Sequence, residues 1–305
     1  MPLFKNIVVY RIGPDWTPPA LEALEAELQR LAFQPCQPTQ ELSVGWMPPR
    51  GAENGAMVEN VAGQWILKLA VERKAVPGGA VRAELEARCK AIEAEHGRKP
   101  GRKEKSELKA EIVHTFLPRA FSKRATHVVW LDLQQRALVV AAGSMKAAEP
   151  AVRQLVDVMA ELKHVLVLSP LSTAMAPATA MAEWLTTKEA PAGFSIDRDL
   201  ELKHSGEDRS VVRYARHNLE LDEIGQHISE GKLPTQLALT WNDKVSFVLT
   251  EQFAIRKIDI RGVEDAPKGE DGFDADAAIA TSELAELLPE LLASLGGETK
   301  MQAPA

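Results

Sequence analysis

Cysteine is scarce in this chain of 305 residues. Its two cysteines, Cys36 and Cys89, are far apart and do not have a spacing typical of a zinc site. Two thiols in a long chain without an export signal suit a reducing compartment. The sequence therefore predicts a cytoplasmic protein without a cysteine-based metal centre.

Long hydrophobic runs are also missing. No stretch of 18 or more apolar residues is present, so we expect no membrane-spanning helix and no membrane partner. The N-terminal sequence MPLFKNIVVYRIGPDW lacks a basic region followed by a long apolar stretch and a small-residue cleavage site, so we expect no signal peptide. With 45% hydrophobic and 26% charged residues, the composition is that of an ordinary globular protein.

The common catalytic motifs are absent as well. The sequence has no GxxxxGK[ST], HExxH or GxSxG motif, and its seven histidines are scattered. Two carboxylate pairs, Asp197 with Asp199 and Asp274 with Asp276, are either loop and helix-cap residues or ligands of a metal-dependent nuclease. The first interpretation is favoured. We therefore expect no cofactor, no metal site and no enzymatic activity, and the nuclease is the alternative.

Helical and strand patterns alternate along the chain. Leucines at three- and four-residue spacing predict a helix over 17–31, with Thr17 as its N-cap. A β-hairpin is expected over 127–142, and a three-stranded meander over 235–260 with Asn242-Asp243 at its first turn. The predicted fold class is α+β, with mixed helices and antiparallel sheets in an elongated chain of several subdomains.

Breaks in these patterns divide the chain into four parts. We expect an N-terminal α+β part, a basic helical hairpin, a β-hairpin with helices that completes the first part, and a C-terminal α+β part. Their ranges are 1–75, 76–124, 125–190 and 191–305. The last part contains an acidic loop over 264–276 and a leucine-rich helix over 282–295, which belongs either to the core or to a dimer seam.

Positive charge is concentrated in one segment of an acidic chain. The net charge is −7, but 98–124 holds nine Lys or Arg against three Glu and carries +6, so the remaining residues carry −13. The stretch 264–290 holds nine acidic residues against Lys268 alone. One basic segment on an acidic chain indicates a localised anion-binding surface.

The basic segment places cations on a predicted helix. Arg102, Lys105 and Lys109 share one helical stripe, whereas the apolar side chains of that helix occupy a different one. Phosphate recognition needs only cations along the backbone. The alternative is a solvated face with ion pairs such as Lys103 with Glu107. The basic candidates of this segment are Arg98, Lys99, Arg102, Lys103, Lys105, Lys109, Arg119, Lys123 and Arg124.

An aromatic residue follows among these cations. Phe121 lies in 117–127, which is predicted to be a short polar loop between a helix and a strand. It is either an anchor in the core or in a subunit interface, or an exposed group that wedges into or stacks on nucleic acid. A second basic group, with ordinary exposed charge as its alternative, consists of Arg213, Arg216 and His217.

Six stretches, in order along the chain, carry a resemblance to a known family. They are FKNIVVYR (4–11), LAFQPC (31–36), VGWMPP (44–49), LPRAFSKR (117–124), GFDAD (272–276) and ELAELLPELLASLGGE (283–298). Together they extend over almost the whole chain, and the runs LPRAF and VGWMPP are the most telling. On these residues the chain resembles the RdgC family of bacterial recombination-associated proteins.

The resemblance implies a protein that binds DNA, duplex and also single-stranded, without sequence preference. It implies a ring-shaped homodimer whose hole takes duplex DNA, restraint of a RecA-type recombinase, a link to replication forks and association with the nucleoid. Phe121 then matches the family's loop phenylalanine, with Arg119 beside it. Arg216 and His217 stand where relatives carry a basic-polar pair, and the histidine weakens a constant charge there. A third hypothesis is an adaptor that acts directly on the recombinase.

Overall fold

The fold is α+β, as the sequence predicts. The computed structural model describes residues 3–51, 55–204, 206, 209–219, 222–261 and 270–299, with the backbone alone at 270 and 271. These residues form seven helices and two antiparallel sheets, with 38% of the chain helical and 30% in strands. The ring-shaped homodimer stays a prediction.

Strands and helices alternate along the described chain. The strands are β1 (Val8–Ile12), β2 (Leu42–Met47), β3 (Glu59–Val61), β4 (Gln64–Lys74), β5 (Ser122–Asp132), β6 (Ala137–Val140), β7 (Leu168–Pro170), β8 (Phe194–His204), β9 (Val211–Tyr214), β10 (Lys232–Trp241), β11 (Val245–Thr250) and β12 (Ile255–Ile260). The helices are α1 (Leu21–Arg30), α2 (Gly78–His96), α3 (Arg102–Phe116), α4 (Met145–Glu161), α5 (Pro177–Thr187), α6 (Asp222–Ser229) and α7 (Glu270–Ser294).

The first sheet has seven strands in the order β2-β4-β5-β6-β1-β7, with β3 paired to β4. Its central strands β1 and β6 pair antiparallel, with Val8 opposite Val140 and Val9 opposite Val139. All four residues of β6 are buried, and four of the five in β1 are buried. Strands without polar alternation are typical of a sheet that is covered on both faces.

The second sheet has five strands in the order β12-β11-β10-β8-β9. Strands β10, β11 and β12 form the predicted meander, which confirms that prediction. At its first turn Trp241 lies opposite Val245, and Asn242 and Asp243 have φ angles of 47° and 54°, in the left-handed region that Asn and Asp tolerate. Ile7 and Ile255 exchange backbone hydrogen bonds of 2.8 and 3.0 Å, which links this sheet to the segment before β1.

The leucine-rich helix belongs to the core. Leu284, Leu287, Leu288 and Leu291 of α7 are at most 4% exposed and pack into one cluster with Trp241. The helix begins at Glu270, so the expectation of a loop over 270–276 is wrong. Acidic residues stabilise the first turns of a helix through its dipole, which accounts for the early start. The expected loop residues 264–269 lie outside the described part of the chain.

The element boundaries differ from the predicted ones at prolines and at strand ends. Helix α1 begins at Leu21, so Thr17 is not its N-cap; Pro18 and Pro19 precede the helix instead of forming its first turn. Strand β5 begins at Ser122, so the predicted loop 117–127 is shorter than expected. Within the described residues, no helix is long and apolar enough to cross a membrane.

The described residues fall into two compact units. The first comprises Met1–Leu28, Pro48–Lys68 and His127–Ala305, and contains the large hydrophobic core. The second comprises Gln29–Met47 and Leu69–Thr126, and therefore contains β2, α2 and α3. Because neither unit is one continuous stretch, sequence order alone does not define them. The predicted four-part division stays a prediction.

Candidate nucleic-acid interface

The basic segment forms a helical hairpin in the second unit. Helix α2 ends at His96 and is capped by Gly97, which has a φ of 65° and donates its backbone N–H to the carbonyl of Glu93 at 2.9 Å. Helix α3 packs against α2, and only Val81 and Ile112 of the two helices are buried. A thin apolar seam of this kind leaves most of both helix surfaces to solvent, which suits a surface for a partner.

At the turn of the hairpin, the two predicted cations Arg98 and Lys99 are held in ion pairs. Arg98 Nη1 lies 2.8 Å from Glu104 Oε2, and Lys99 Nζ lies 3.8 Å from Glu93 Oε1. The pKa of Glu104 is lowered because Arg98 donates to its carboxylate, and the same hydrogen bond raises the pKa of Arg98. The charge at the turn of the hairpin is therefore partly neutralised.

The cations on α3 are exposed and have no ion pair within 4.0 Å in the described part of the chain. This set includes Lys103, whose predicted pair with Glu107 is not formed. An exposed cation without a partner contacts a phosphate without first breaking an ion pair. The α3 residues concerned are Arg102, Lys103, Lys105 and Lys109.

Phe121 stands out from the protein. Its side chain is 93% exposed, between a 3-10 turn over Leu117–Arg119 and the start of β5. Leu117 at the start of this turn is 3% exposed and anchors it. The interpretation of Phe121 as an anchor in its own core is therefore wrong, and a subunit interface or a nucleic-acid contact remain. Arg119 and Lys123 beside it are exposed and lack an ion pair among the described residues.

Arg124 is engaged differently from its neighbours. Its Nε and Nη2 atoms lie 3.0 and 2.9 Å from Glu72 Oε2, and its guanidinium carbon lies 4.4 Å from the centroid of the Phe33 ring. Glu72 is only 5% exposed, and its Oε1 accepts the backbone N–H of Cys36 at 3.0 Å. The pKa of Glu72 is lowered because Cys36 and Arg124 both donate to its carboxylate.

A groove lies beside the cationic stripe of α3. It encloses about 480 Å³, and Ala110, Val113 and Leu117 are among the residues that line it. Lys109 and Glu41 also line the groove. The groove thus combines apolar side chains with charges of both signs, within the unit that also carries Phe121.

The second basic group lies in the first unit and is tied to carboxylates. Arg213 Nε lies 2.5 Å from Glu201 Oε2, and the backbone N–H of Arg216 donates to Asp199 Oδ1 at 2.9 Å. The Nδ1 atom of His217 lies 2.9 Å from the carbonyl oxygen of Asn218. The pKa of Asp199 is lowered because the N–H of Arg216 and the ammonium of Lys257 donate to it.

One member of each acidic pair, Asp197 or Asp274, is bound by a neighbouring side chain. Asp197 Oδ2 accepts the hydroxyl of Thr240 at 2.7 Å, and Asp274 Oδ1 lies 2.5 Å from Arg50 Nη2. Among the described residues, no group of three or more His, Cys, Asp and Glu is placed to hold a metal ion.

The sequence analysis did not identify Glu72 and Phe33 as the partners of Arg124. Glu72 looks like a solvent-facing residue at the end of a strand, and Phe33 looks like part of a proline-rich loop. One signal was available in the sequence, since the two-residue period of a strand places Glu72 on the same face as the apolar residues Ile66 and Ala70. Only the folded chain brings Phe33, Glu72 and Arg124 together.

The fold and this surface define an α+β protein with a row of exposed cations on one helical hairpin and the adjoining strand, without ion pairs in the described residues. Comparison with known proteins gives the family. The family model of RdgC, described as "Putative exonuclease, RdgC", matches residues 2–298. The chain belongs to the RdgC family, whose curated members are named recombination-associated proteins.

Three relatives illustrate the extent of the similarity, and each is named "Recombination-associated protein RdgC". The protein of Dechloromonas aromatica (strain RCB) is 41% identical, over 97% of this chain and 98% of its own length. The protein of Janthinobacterium sp. (strain Marseille) is 40% identical, over 97% of this chain and 99% of its own length. The protein of Bordetella parapertussis is 39% identical, over 98% of this chain and 99% of its own length.

Proposed function

We propose that this protein binds DNA without sequence preference, encircles it as a homodimer and restrains recombination by a RecA-type recombinase. The observation that carries the proposal is the row of exposed cations on α3, continued by Arg119 and Lys123, without ion pairs in the described residues. Members of the family are named for recombination, a process that acts on DNA. We expect the protein in the cytoplasm, associated with the nucleoid.

The spacing of the cations supports contacts with phosphates. Arg102, Lys105 and Lys109 are separated along the axis of α3 by about 4.5 and about 6 Å, given a rise of about 1.5 Å per residue. Lys and Arg at such intervals neutralise successive backbone phosphates and carry no base code. The acidic remainder of the chain, with its charge of −13, disfavours DNA elsewhere on the surface.

The homodimer is supported by Phe121 and by the groove of the same unit. A ring that is 93% exposed gains free energy when a partner covers it. In a two-fold symmetric dimer each copy offers the same surface, so Phe121 of one copy has the groove beside Val113 and Leu117 of the other as a binding place. A closed ring retains DNA because dissociation requires a DNA end or an opened interface.

Salt dependence tests the DNA-binding part of the proposal. We expect the affinity for two unrelated duplexes of equal length to be similar and to fall steeply between about 50 and 200 mM salt. A single strand of the same length is expected to bind with a shallower dependence on salt. Equal affinity at low and high salt, or a large difference between the duplexes, contradicts the proposal.

Restraint of the recombinase is tested separately from DNA binding. The variant Arg102→Ala, Lys105→Ala, Lys109→Ala is added to a strand-exchange reaction together with the recombinase. We expect it to inhibit less than the wild-type protein, because inhibition acts through occupied DNA. Full inhibition by a variant that no longer binds DNA favours the adaptor hypothesis instead.

A nuclease is the second candidate, since the family description includes an exonuclease. The carboxylates to test are Asp197 and Asp199, which are two residues apart on β8. Linear and supercoiled DNA are incubated with the protein and Mg²⁺ or Mn²⁺. Cleavage that follows the protein through purification and is lost in Asp197→Asn, Asp199→Asn supports the nuclease. Intact DNA supports the binding function alone.

A further inference from the structure

Glu72 is a buried carboxylate, and its hydrogen bonds with Cys36 and Arg124 stabilise its charged form. It is 5% exposed, and its two oxygens accept the backbone N–H of Cys36 at 3.0 Å and two N–H groups of Arg124 at 3.0 and 2.9 Å. A buried carboxylate that loses its cation is strongly unfavourable. The pair is therefore a fixed element of the second unit.

Arg124 also uses the face of its guanidinium. The face lies over the ring of Phe33 at 4.4 Å, so the side chain is held by two hydrogen bonds and a cation–π contact. Glu72 takes the Nε and Nη2 donors of Arg124 and neutralises part of its charge, so a phosphate gains less from Arg124 than from an unpaired cation. This distinguishes Arg124 from Lys123, its exposed neighbour, which has no ion pair in the described part of the chain.

The pair lies next to the most exposed aromatic side chain described. Phe121 is three residues before Arg124 and four residues after Leu117, which is 3% exposed. The backbone N–H of Ala120 donates to the carbonyl of Leu117 at 3.1 Å, which closes the turn. Phe121 therefore projects from a short segment that is fastened on both sides. A group held in its bound conformation binds with a smaller entropy cost.

We propose that Glu72 and Arg124 are positioning residues that hold Phe121 for docking into a second copy of this chain, and that Arg124 is not a phosphate ligand. The inference rests on the homodimer of the proposed function. By charge alone, Arg124 would favour DNA binding and Glu72 would oppose it. The proposal instead gives both residues the same role.

Neutralising each member of the pair in turn distinguishes a phosphate ligand from a positioning residue at Arg124. The variants Glu72→Gln and Arg124→Gln change the net charge in opposite directions. If Arg124 is a phosphate ligand, Arg124→Gln weakens DNA binding and Glu72→Gln strengthens it. If the pair positions Phe121, both variants raise the dimer dissociation constant, by at least about fivefold, since an anchor residue typically contributes more than about 1 kcal/mol. Sedimentation equilibrium measures this constant, and a filter-binding assay measures DNA affinity.

Arg98 and Glu104 provide a matched control in the same unit. Their ion pair is exposed and lies outside the Phe121 segment. Arg98→Gln and Glu104→Gln are expected to leave the dimer dissociation constant within about twofold and to change DNA affinity in opposite directions. A third test variant, Arg124→Lys, keeps the charge but loses the planar fork. We expect it to weaken the dimer as Arg124→Gln does.

Dimer weakening in both neutral variants and in Arg124→Lys, measured at a temperature where each variant remains folded, supports the proposal. Opposite effects of Glu72→Gln and Arg124→Gln on DNA affinity with an unchanged dimer overturn it. If Glu72→Gln does not fold, the dimer dissociation constants of Arg124→Lys and Arg98→Lys are compared instead. A weaker dimer in Arg124→Lys alone supports the proposal, and equal constants overturn it.

Hydrogen exchange keeps the inference testable if the homodimer itself fails. A wild-type chain that is monomeric at all concentrations contradicts the dimer of the proposed function. Amide exchange at 121–124 in that monomer then decides on the positioning role. Faster exchange in both neutral variants than in wild type supports it, and unchanged exchange overturns it.

Discussion

Arg98 and Glu104 close the turn of the basic hairpin, with 2.8 Å between Nη1 and Oε2. The same carboxylate lies 3.3 Å from the backbone N–H of Gly101, directly before α3. The pair therefore combines a charge contact with the start of a helix. One consequence is that the cations of 98–124 are not equivalent, because Arg98 has an ion-pair partner whereas Lys105 has none among the described residues.

Removing Glu104 should make Arg98 available to DNA. We expect Glu104→Gln to raise DNA affinity and to steepen the dependence of log K on log salt by up to about 0.9, the value for one phosphate contact. The control is Glu107→Gln, which changes the net charge equally, since Glu107 has no ion pair in the described residues. It should raise affinity slightly without steepening the salt dependence. Identical slopes in the two variants would mean that Arg98 gains no phosphate contact.

The exposed stripe of α3 should account for a measurable share of the salt dependence. We expect Arg102→Ala, Lys105→Ala, Lys109→Ala to weaken DNA binding and to flatten the slope by up to about 2.7, or about 0.9 for each lost contact. Fluorescence anisotropy at several salt concentrations gives both values. A triple variant on the exposed cations of the α4 region, Lys146→Ala, Arg153→Ala, Lys163→Ala, removes the same charge. Equal flattening there would show that only net charge matters.

Phe121→Ala should act on assembly and leave folding unchanged. The side chain is exposed, so we expect the free energy of unfolding to change by less than about 0.5 kcal/mol. Size-exclusion chromatography should show a shift from dimer to monomer, because the ring is the proposed contact with the second copy. Val165→Ala, at a residue that is 73% exposed, is the control for loss of an exposed apolar side chain. An unchanged dimer with weaker DNA binding would instead assign Phe121 to base stacking.

Acid should weaken the second unit through Glu72. Its pKa in the folded protein is lower than the ordinary value of 4.5, with the N–H of Cys36 and the guanidinium of Arg124 as the main causes. A lowered folded-state pKa contributes stability that is present above the unfolded-state value and is lost as pH falls through the folded-state value. The stability difference between wild type and Glu72→Gln should therefore be constant from pH 7 to about 5 and shrink below 4.5. Chemical unfolding followed across this range measures it, and a difference that grows in acid would contradict the assignment.

Truncation in α7 should test its place in the core. Leu291 is fully buried, so we expect Leu291→Ala to reduce the free energy of unfolding by about 2–5 kcal/mol, through lost burial and the cavity left behind. Glu286→Ala, at an exposed position of the same helix, should change it by less than about 0.5 kcal/mol. Urea unfolding compares the two. Dimer dissociation by Leu291→Ala without loss of stability would place the helix at a subunit contact.

The sequence by itself determined the fold class, the meander with its Asn242-Asp243 turn, and the place of the positive charge. Each of these depends on local information. Apolar periodicity identifies strands and helices, and tight turns with positive φ need residues that tolerate that conformation. The cluster of nine Lys and Arg in 98–124 is evident without a structure.

Only the tertiary structure decided which charges are available. Arg124 follows Lys123 directly, yet one is held by Glu72 and Phe33 and the other is exposed without an ion pair among the described residues. The partners of Arg124 are 52 and 91 residues away along the chain. Adjacent residues of a strand point to opposite faces, so neighbours in sequence meet different surroundings. Charge is a property of the residue, whereas its availability to a phosphate depends on what the fold places within 4 Å.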